Sequence, residues 1–136
     1  MIVTVTANTG IDQTLFIQRF EPKRTMRALD SAIGMGGKGT DVSWNLGAWG
    51  VPSLALGFAA GGIGRQMEQM LQERGARTDF TWCEGSTRWN TIIVCKDGSC
   101  SSTITTSTLE VLPQHLADFE VRFQKALSQA SCLCLC

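Results

Sequence analysis

The residues best placed to bind a ligand lie in one glycine-rich segment, Gly34-Met35-Gly36-Gly37-Lys38-Gly39, followed by Thr40-Asp41. Four glycines in six residues let a ligand approach the main chain, because no side chain stands in the way. We expect a helix to begin directly behind them, and a helix N-terminus offers free N–H groups and partial positive charge. With Lys38 as a mobile cation and Asp41 as an acceptor, the segment predicts a site for an anion or a hydroxyl-rich ligand.

Two other interpretations of this segment stay open. The spacing Gly34-x-Gly36-x-x-Gly39 matches a dinucleotide-binding fingerprint, which would indicate an oxidoreductase, although the acidic residue expected about 20 positions later is missing. The glycines could equally form a plain structural turn. A P-loop is excluded, because Lys38 is followed by Gly39 rather than by Ser or Thr.

The amino-acid composition excludes several classes of binding partner. The chain has 136 residues, of which 43% are hydrophobic and 18% charged, as is typical of one globular domain. Lys+Arg and Asp+Glu number 12 each, so there is no basic excess to attract nucleic acid or a membrane surface. No apolar run approaches the roughly 20 residues of a membrane span.

The six cysteines are interpreted as free thiols. The N-terminus lacks the features of a signal peptide, so we predict a cytoplasmic protein without a disulfide framework. Cys132-x-Cys134-x-Cys136 lacks the spacing of common zinc sites, and we interpret these residues as buried members of a strand. No metal site is predicted.

The hydrophobic pattern predicts an α/β fold with right-handed crossovers. The predicted elements are strand 1–6, helix 40–49, strand 53–58, a helix after 61–64, strand 78–83 and a helix opening at Leu112-Pro113. Between the last two, 88–95 and 100–106 flank Lys96-Asp97-Gly98-Ser99 and predict an antiparallel hairpin apart from the main sheet. The chain ends in an apolar strand without covering elements, so the sequence is interpreted as cut off.

Several short segments, spread in order along the chain, match the motifs of a known protein family. They are Asn8 to Asp12, Gly36-Gly37-Lys38-Gly39 with Asp41-Val42, Gly50-Val51-Pro52, Gly57-Phe58, Gly61 to Arg65, Gly75, and Thr87-Arg88 with Asn90-Thr91. On these residues the sequence resembles the ribokinase-like (PfkB) carbohydrate kinases, in the branch of 1-phosphofructokinase and tagatose-6-phosphate kinase. The resemblance implies the N-terminal part of a three-layer α/β/α core with a small antiparallel β lid. Residues 1–136 would form part of one kinase domain, with lid strands within about 13–33 and 87–106.

The resemblance also implies roles for individual residues. Asp12 would accept hydrogen bonds from sugar hydroxyls, and Asn90 would contact the sugar from the lid. Gly36 and Gly37 would let the main chain approach the sugar. Lys38 and Arg88 would hold a phosphate already on the substrate, Arg88 through its planar fork of donors.

One departure concerns Asp41, which stands where the family usually has Asn. An ionised Asp only accepts hydrogen bonds, so a donor to the sugar is lost.

The largest departure is the absence of the family's second half, which carries the nucleotide pocket and the catalytic base. We therefore expect the sugar-binding portion of a kinase that uses ATP and Mg²⁺, itself inactive and holding no catalytic residue, in a parent that dimerises through the lid. The alternative is a non-catalytic carbohydrate-binding or dimerising module.

Overall fold

The computed structural model describes residues 1–106 and 109–136. Two sheets and three helices make up this part of the chain. The elements in order are β1 (Ile2–Thr6), β2 (Gly10–Ile17), β3 (Asp30–Gly36), α1 (Lys38–Ala48), β4 (Ser53–Ala59), α2 (Gly61–Glu73), β5 (Arg77–Thr78), β6 (Thr81–Trp82), β7 (Arg88–Cys95), β8 (Ser101–Ile104), α3 (Pro113–Leu127) and β9 (Cys132–Leu135).

The core sheet is parallel, with strand order β5-β4-β1-β9 and β6 paired to the end of β4. One face packs on α1 and α2, where Met67 and Leu71 are fully buried together with Ala55 of β4. The other face packs on α3 through Leu56 and Ala126. Because β4 is covered on both faces, it tolerates only apolar and small residues, and the predicted α/β layering is confirmed.

The second sheet has strand order β3-β2-β7-β8 and is mixed rather than antiparallel, so that part of the fold prediction is wrong. The outer pairs are antiparallel, but the central pair β2–β7 is parallel over eight positions. The reason is the path of the chain. β2 follows the carboxyl end of β1 and β7 follows the carboxyl end of β6, and because β1 and β6 both run parallel to β4, the two following strands run outward in the same direction. The strands in the predicted lid segments are β2 and β3, and β7 and β8, and 18–29 contains none.

The glycine-rich segment is the junction between the two sheets. Gly34 and Gly36 belong to β3, and α1 begins at Lys38, two residues earlier than the sequence predicts. Gly37 precedes the helix with a φ of 99°, a left-handed conformation that favours glycine. A Cβ atom on Gly39 would lie 2.5 Å from Oγ1 of Thr6, so this glycine lets α1 pack directly on β1.

The cysteine interpretation is wrong in two respects. Cys95 and Cys100 form a disulfide that closes the β7–β8 hairpin, because the hairpin turn brings their Cα atoms to 5.0 Å. Cys132 and Cys136 are exposed rather than buried, since β9 lies at the edge of the described sheet. Within residues 1–106 and 109–136, no three acidic, histidine or cysteine side chains are grouped to hold a metal ion.

The helices of the described residues are α1, α2 and α3. None of the helices there has both the length and the apolar character needed to cross a membrane.

Candidate functional site

The first part of the candidate site is a contact between the two central strands of the second sheet. The parallel register places Asp12 of β2 opposite Asn90 of β7. The Asn90 amide Nδ2 donates a hydrogen bond of 2.5 Å to Oδ1 of Asp12. Gly36 of β3 adjoins this pair, since a Cβ atom there would lie 2.6 Å from the same Asp12 oxygen. The three residues therefore form one cluster with bare main chain beside a carboxylate.

Asn90 leaves one acceptor in this cluster without a partner. Its side chain is only 3% exposed, and its Oδ1 accepts no hydrogen bond within the described structure. Leaving a buried polar atom unpaired costs about 1–3 kcal/mol. A hydroxyl group from a ligand would restore the missing bond. The half-buried Asp12 carboxylate beside it is a further acceptor for the same ligand.

The second part of the site is a cationic cavity of about 280 Å³ at the carboxyl end of β1. Its lining residues are Thr6, Ala7, Asn8, Gly37, Lys38, Arg88 and Cys136. The carboxyl ends of parallel strands are where open α/β sheets bind ligands. Lys38 is exposed at the first position of α1, so its charge adds to the positive end of the helix.

Arg88 is held between the cluster and the cavity. Its Nη2 donates to the main-chain oxygen of Asn8 at 3.2 Å. Its aliphatic part crosses Gly10, where a Cβ atom would lie 2.7 Å from Cγ of Arg88. Its Nε is buried without a hydrogen-bond partner among the described residues.

The predicted site residues thus fall into two adjoining groups and one outlier. Asp12, Gly36 and Asn90 form the cluster, while Gly37, Lys38 and Arg88 line the cavity. The two groups adjoin through the Gly36–Gly37 peptide. Asp41 is exposed on α1, and its Oδ1 accepts a hydrogen bond of 3.3 Å from Asn45 one turn later. The main-chain N–H of Asp41 donates to the carbonyl oxygen of Gly37 at 2.9 Å, but the described side-chain contacts join the Asp41 carboxylate to neither group.

Sequence reasoning missed four lining residues, Thr6, Ala7, Asn8 and Cys136. The positions of Thr6 and Asn8, at and just after the end of a parallel strand, are a signal that could have found them. Cys136 gave no such signal, because its place depends on the pairing of β9 with β1, which brings two distant segments together.

The sequence is similar to those of curated sugar-phosphate kinases. It is 37% identical over 90 residues to 1-phosphofructokinase of Borreliella burgdorferi, which covers 66% of this chain and 29% of the relative. It is 38% identical over 95 residues to D-tagatose-1-phosphate kinase of Bacillus licheniformis, covering 68% and 31% respectively. The chain therefore spans about a third of the length of these relatives. No protein-family model matches the chain.

The fold is similar to a solved kinase structure. The crystal structure of "Possible 1-phosphofructokinase" from Thermotoga maritima superposes with a TM-score of 0.91 at 31% sequence identity. The match covers 99% of this chain and 44% of the Thermotoga chain. Both sheets and all three helices lie within the matched part, so their arrangement is common to the two proteins.

Proposed function

Because the chain belongs to the ribokinase-like (PfkB) carbohydrate kinases, we propose that it is the sugar-binding part of an ATP-dependent phosphosugar kinase. The reaction of the whole protein would transfer a phosphoryl group from ATP to a sugar hydroxyl, as the name of the 1-phosphofructokinase relative indicates. The observation that carries this proposal is the juxtaposition of a carboxylate cluster and a cationic cavity, each with a buried polar atom that has no partner among the described residues.

The proposed roles follow from the donors and acceptors present. Asp12 and Asn90 together offer acceptors for sugar hydroxyls, and the amide of Asn90 holds the carboxylate in place. Gly36 leaves room for the sugar next to the main chain. Arg88 and Lys38 bind the phosphate that the substrate already carries, because they supply the free cations of the adjoining cavity.

Asp41 is proposed to contact the sugar less directly than Asp12, since Asn45 occupies one of its oxygens. Asp41 lies in the first turn of α1, so its carboxylate places a negative charge near the helix N-terminus. A substrate that binds there would have to present hydroxyl donors rather than acceptors.

We assign the remaining machinery to the part of the parent protein that the chain does not span. That part would hold ATP, Mg²⁺ and the catalytic base, since in-line phosphoryl transfer needs all three in place. We expect the 136-residue chain alone to turn over no ATP. In the parent, the second sheet would act as a lid over the sugar and as a surface for a homodimer in the cytoplasm.

Sugar binding by the chain tests the proposal. Titrations with fructose 1-phosphate, tagatose 6-phosphate, fructose and inorganic phosphate would be followed by calorimetry. We expect the phosphosugars to bind more tightly than fructose or phosphate alone, because only they occupy both the cluster and the cavity. Equal, weak binding of all four compounds would contradict the proposal.

Two substitutions, each with a matched control, test the separate roles of the cluster and the cavity in phosphosugar binding. Asp12→Asn should weaken phosphosugar binding by about 10-fold to 100-fold, since a hydrogen bond to a charged group is worth about 1.5–3 kcal/mol. Asp30→Asn, at the exposed end of β3, should leave binding unchanged. Arg88→Gln should weaken the phosphosugars but not fructose, whereas Arg74→Gln, whose guanidinium stacks on Trp44, should affect neither.

One further assay distinguishes the kinase from the alternative, a non-catalytic sugar-binding module. ATP consumption by the longest protein that contains this chain would be measured with the sugar that binds best. Turnover supports the kinase, while binding without turnover supports the module.

A further inference from the structure

Two buried threonines lie where the second sheet meets the core sheet. Thr9 directly precedes β2, and Thr87 directly precedes β7. The parallel register of these strands pairs their first residues, Gly10 and Arg88, so the two threonines occupy equivalent places on the central strands of the second sheet. Their side chains are only 2% and 1% exposed, and none of the roles assigned above uses either hydroxyl group.

Both hydroxyl groups bind the main chain at or next to the carboxyl end of β4. The Thr9 hydroxyl donates to the carbonyl oxygen of Phe58 at 2.5 Å. The Thr87 hydroxyl accepts from the N–H of Ala60 at 2.8 Å, and the Thr87 N–H donates to the Ala60 carbonyl oxygen at 3.0 Å. We call these hydrogen bonds of Thr9 and Thr87 the threonine clamp. One strand end of the core thus holds the starts of both central strands.

The start of α2 depends on Thr87 for one of these bonds. Ala60 is the N-cap of α2, and an alanine side chain can make no capping hydrogen bond. In a capping box the third helical residue accepts from the N-cap N–H, but that residue here is the apolar Ile63. The Thr87 hydroxyl accepts this bond instead. Gly64 leaves room for it, since a Cβ atom there would lie 3.0 Å from Oγ1 of Thr87.

We propose that Thr9 and Thr87 are positioning residues, which fix the angle of the second sheet on the core and so bring the cluster to the cavity. Each threonine lies three residues before one member of the cluster, Asp12 or Asn90. Thr87 also directly precedes Arg88, which lines the cavity. The inference rests on the proposed function, because only a phosphosugar that spans both parts of the site needs their relative placement.

Hydrogen bonds within the second sheet cannot set its orientation on the core. The paired positions of β2 and β7 hold these two strands to each other, and they would move together as one body. Ile11 of β2 and Met67 of α2 share a buried apolar cluster across the junction, but the hydrophobic effect is non-directional. The clamp bonds cross the same junction and are directional, so they define the angle.

Loss of a clamp hydroxyl should therefore lower the fraction of molecules that have the binding orientation. A buried main-chain group without its partner destabilises the clamped arrangement. The apparent affinity for a ligand falls by the same factor as that fraction. The cluster lies wholly within the second sheet, so its own geometry would remain. Only a ligand that spans the cluster and the cavity would lose affinity.

Residue-resolved amide hydrogen exchange of the full chain tests the clamp without any ligand. Thr87→Val keeps the shape of the side chain but removes the hydroxyl, whereas Thr87→Ser keeps the hydroxyl. Thr87→Val should speed exchange of the Ala60 and Thr87 amides by about tenfold or more, because a buried donor loses its partner. Thr87→Ser should exchange like the unsubstituted chain, and amides between β2 and β7 should stay protected in both variants. Unchanged exchange at Ala60 in Thr87→Val would overturn the proposal.

Thr81 offers a matched control for the loss of a buried hydroxyl. Its side chain is 1% exposed, and its strand, β6, pairs with the same end of β4. Its hydroxyl donates to Oδ2 of Asp118 in α3 at 2.8 Å, so it does not reach the second sheet. Thr81→Val should therefore lower the free energy of unfolding but leave ligand binding unchanged.

Calorimetric titration then measures the consequence for the site, at a temperature well below unfolding. Thr87→Val should weaken fructose 1-phosphate or tagatose 6-phosphate binding about tenfold, leave fructose binding unchanged, and be rescued by Thr87→Ser. Thr9→Val should act in the same direction. It leaves a carbonyl rather than an N–H without its bond, so it makes the same test if Thr87→Val does not fold.

The outcomes separate this inference from the proposed function. Equal losses for phosphosugar and fructose, or phosphosugar binding that is unaltered in both valine variants, would refute a positioning role. If the unsubstituted chain binds no phosphosugar, the proposed function fails. Faster exchange at Ala60 in Thr87→Val would then still support the clamp as the junction that fixes the two sheets.

Discussion

A single methyl group added at Gly36 should disrupt the candidate site, whereas the same group two residues earlier should not. A Cβ atom at Gly36 would lie 2.6 Å from Oδ1 of Asp12, 3.0 Å from the main-chain carbon of Gly10 and 3.2 Å from Nδ2 of Asn90. At Gly34, on the same strand, a Cβ atom would meet nothing within 4 Å. Gly34→Ala is therefore a matched control for Gly36→Ala.

The magnitude follows from which neighbours can move. The Asp12 carboxylate is held by Asn90 at 2.5 Å, and Gly10 is the main-chain partner of Gly36 in the β2–β3 ladder. Neither can withdraw without breaking a hydrogen bond or shifting a strand, so the added methyl should cost about 1–3 kcal/mol. Gly34→Ala should be neutral or stabilising by up to about 1 kcal/mol, because alanine restricts the unfolded chain.

The assay combines urea unfolding with phosphosugar titration for both variants. Gly36→Ala should lower the free energy of unfolding and reduce phosphosugar affinity at least tenfold, while Gly34→Ala should preserve both. If the two variants unfold at the same urea concentration and bind equally, the close approach at Gly36 is not a property of the protein in solution.

Two further predictions concern stability away from the site. Reducing the Cys95–Cys100 disulfide should lower the free energy of unfolding by about 2 kcal/mol, as expected for a loop closed over a sequence separation of five, and Cys95→Ala/Cys100→Ala should unfold alike with and without reductant. An unchanged urea midpoint after reduction would contradict this. Hydrogen bonds from Arg122 and Thr81 lower the pKa of Asp118, so its contribution is present above the unfolded-state pKa of about 4 and is lost as pH falls through the lower folded-state value. Arg122→Gln should therefore weaken the dependence of unfolding free energy on pH below about pH 4, and identical acid profiles would count against the assignment.

The sequence predicted the parts of the fold that depend on local pattern. The strand predicted over 53–58 and the helix predicted to open at Leu112-Pro113 are both confirmed, as β4 (Ser53–Ala59) and α3 (Pro113–Leu127). The glycine-rich segment is predicted from the sequence as a place of close ligand approach, because glycine content is visible without tertiary structure. The boundary between this segment and α1 could not be predicted from the sequence, since whether α1 begins at Lys38 or Thr40 depends on the packing of Gly39 on β1.

Residue type and helical spacing alone do not give the exposure of a side chain, because that depends on how the helix packs. A histidine near the start of a helix is usually at the surface, but His115 is only 8% exposed, and its Nδ1 accepts a hydrogen bond from the N–H of Leu112. Leu116 has the helical spacing of an apolar stripe with Phe119 and Phe123, yet it is 53% exposed. The helical period of apolar residues shows roughly which face of a helix is buried. The neighbouring strands determine which residues at the margin of that face are covered.

By itself the sequence predicted the α/β alternation, the resemblance to the kinase family and the residue types of the candidate site. Only the tertiary structure decided that β2 and β7 pair in parallel, which brings Asp12 within 2.5 Å of Asn90 across 78 positions of the chain. It also decided that Cys136 stands beside Lys38 and Arg88. The physical reason is that side-chain pattern encodes which face of an element is buried, whereas strand order and register emerge from how all the elements pack together.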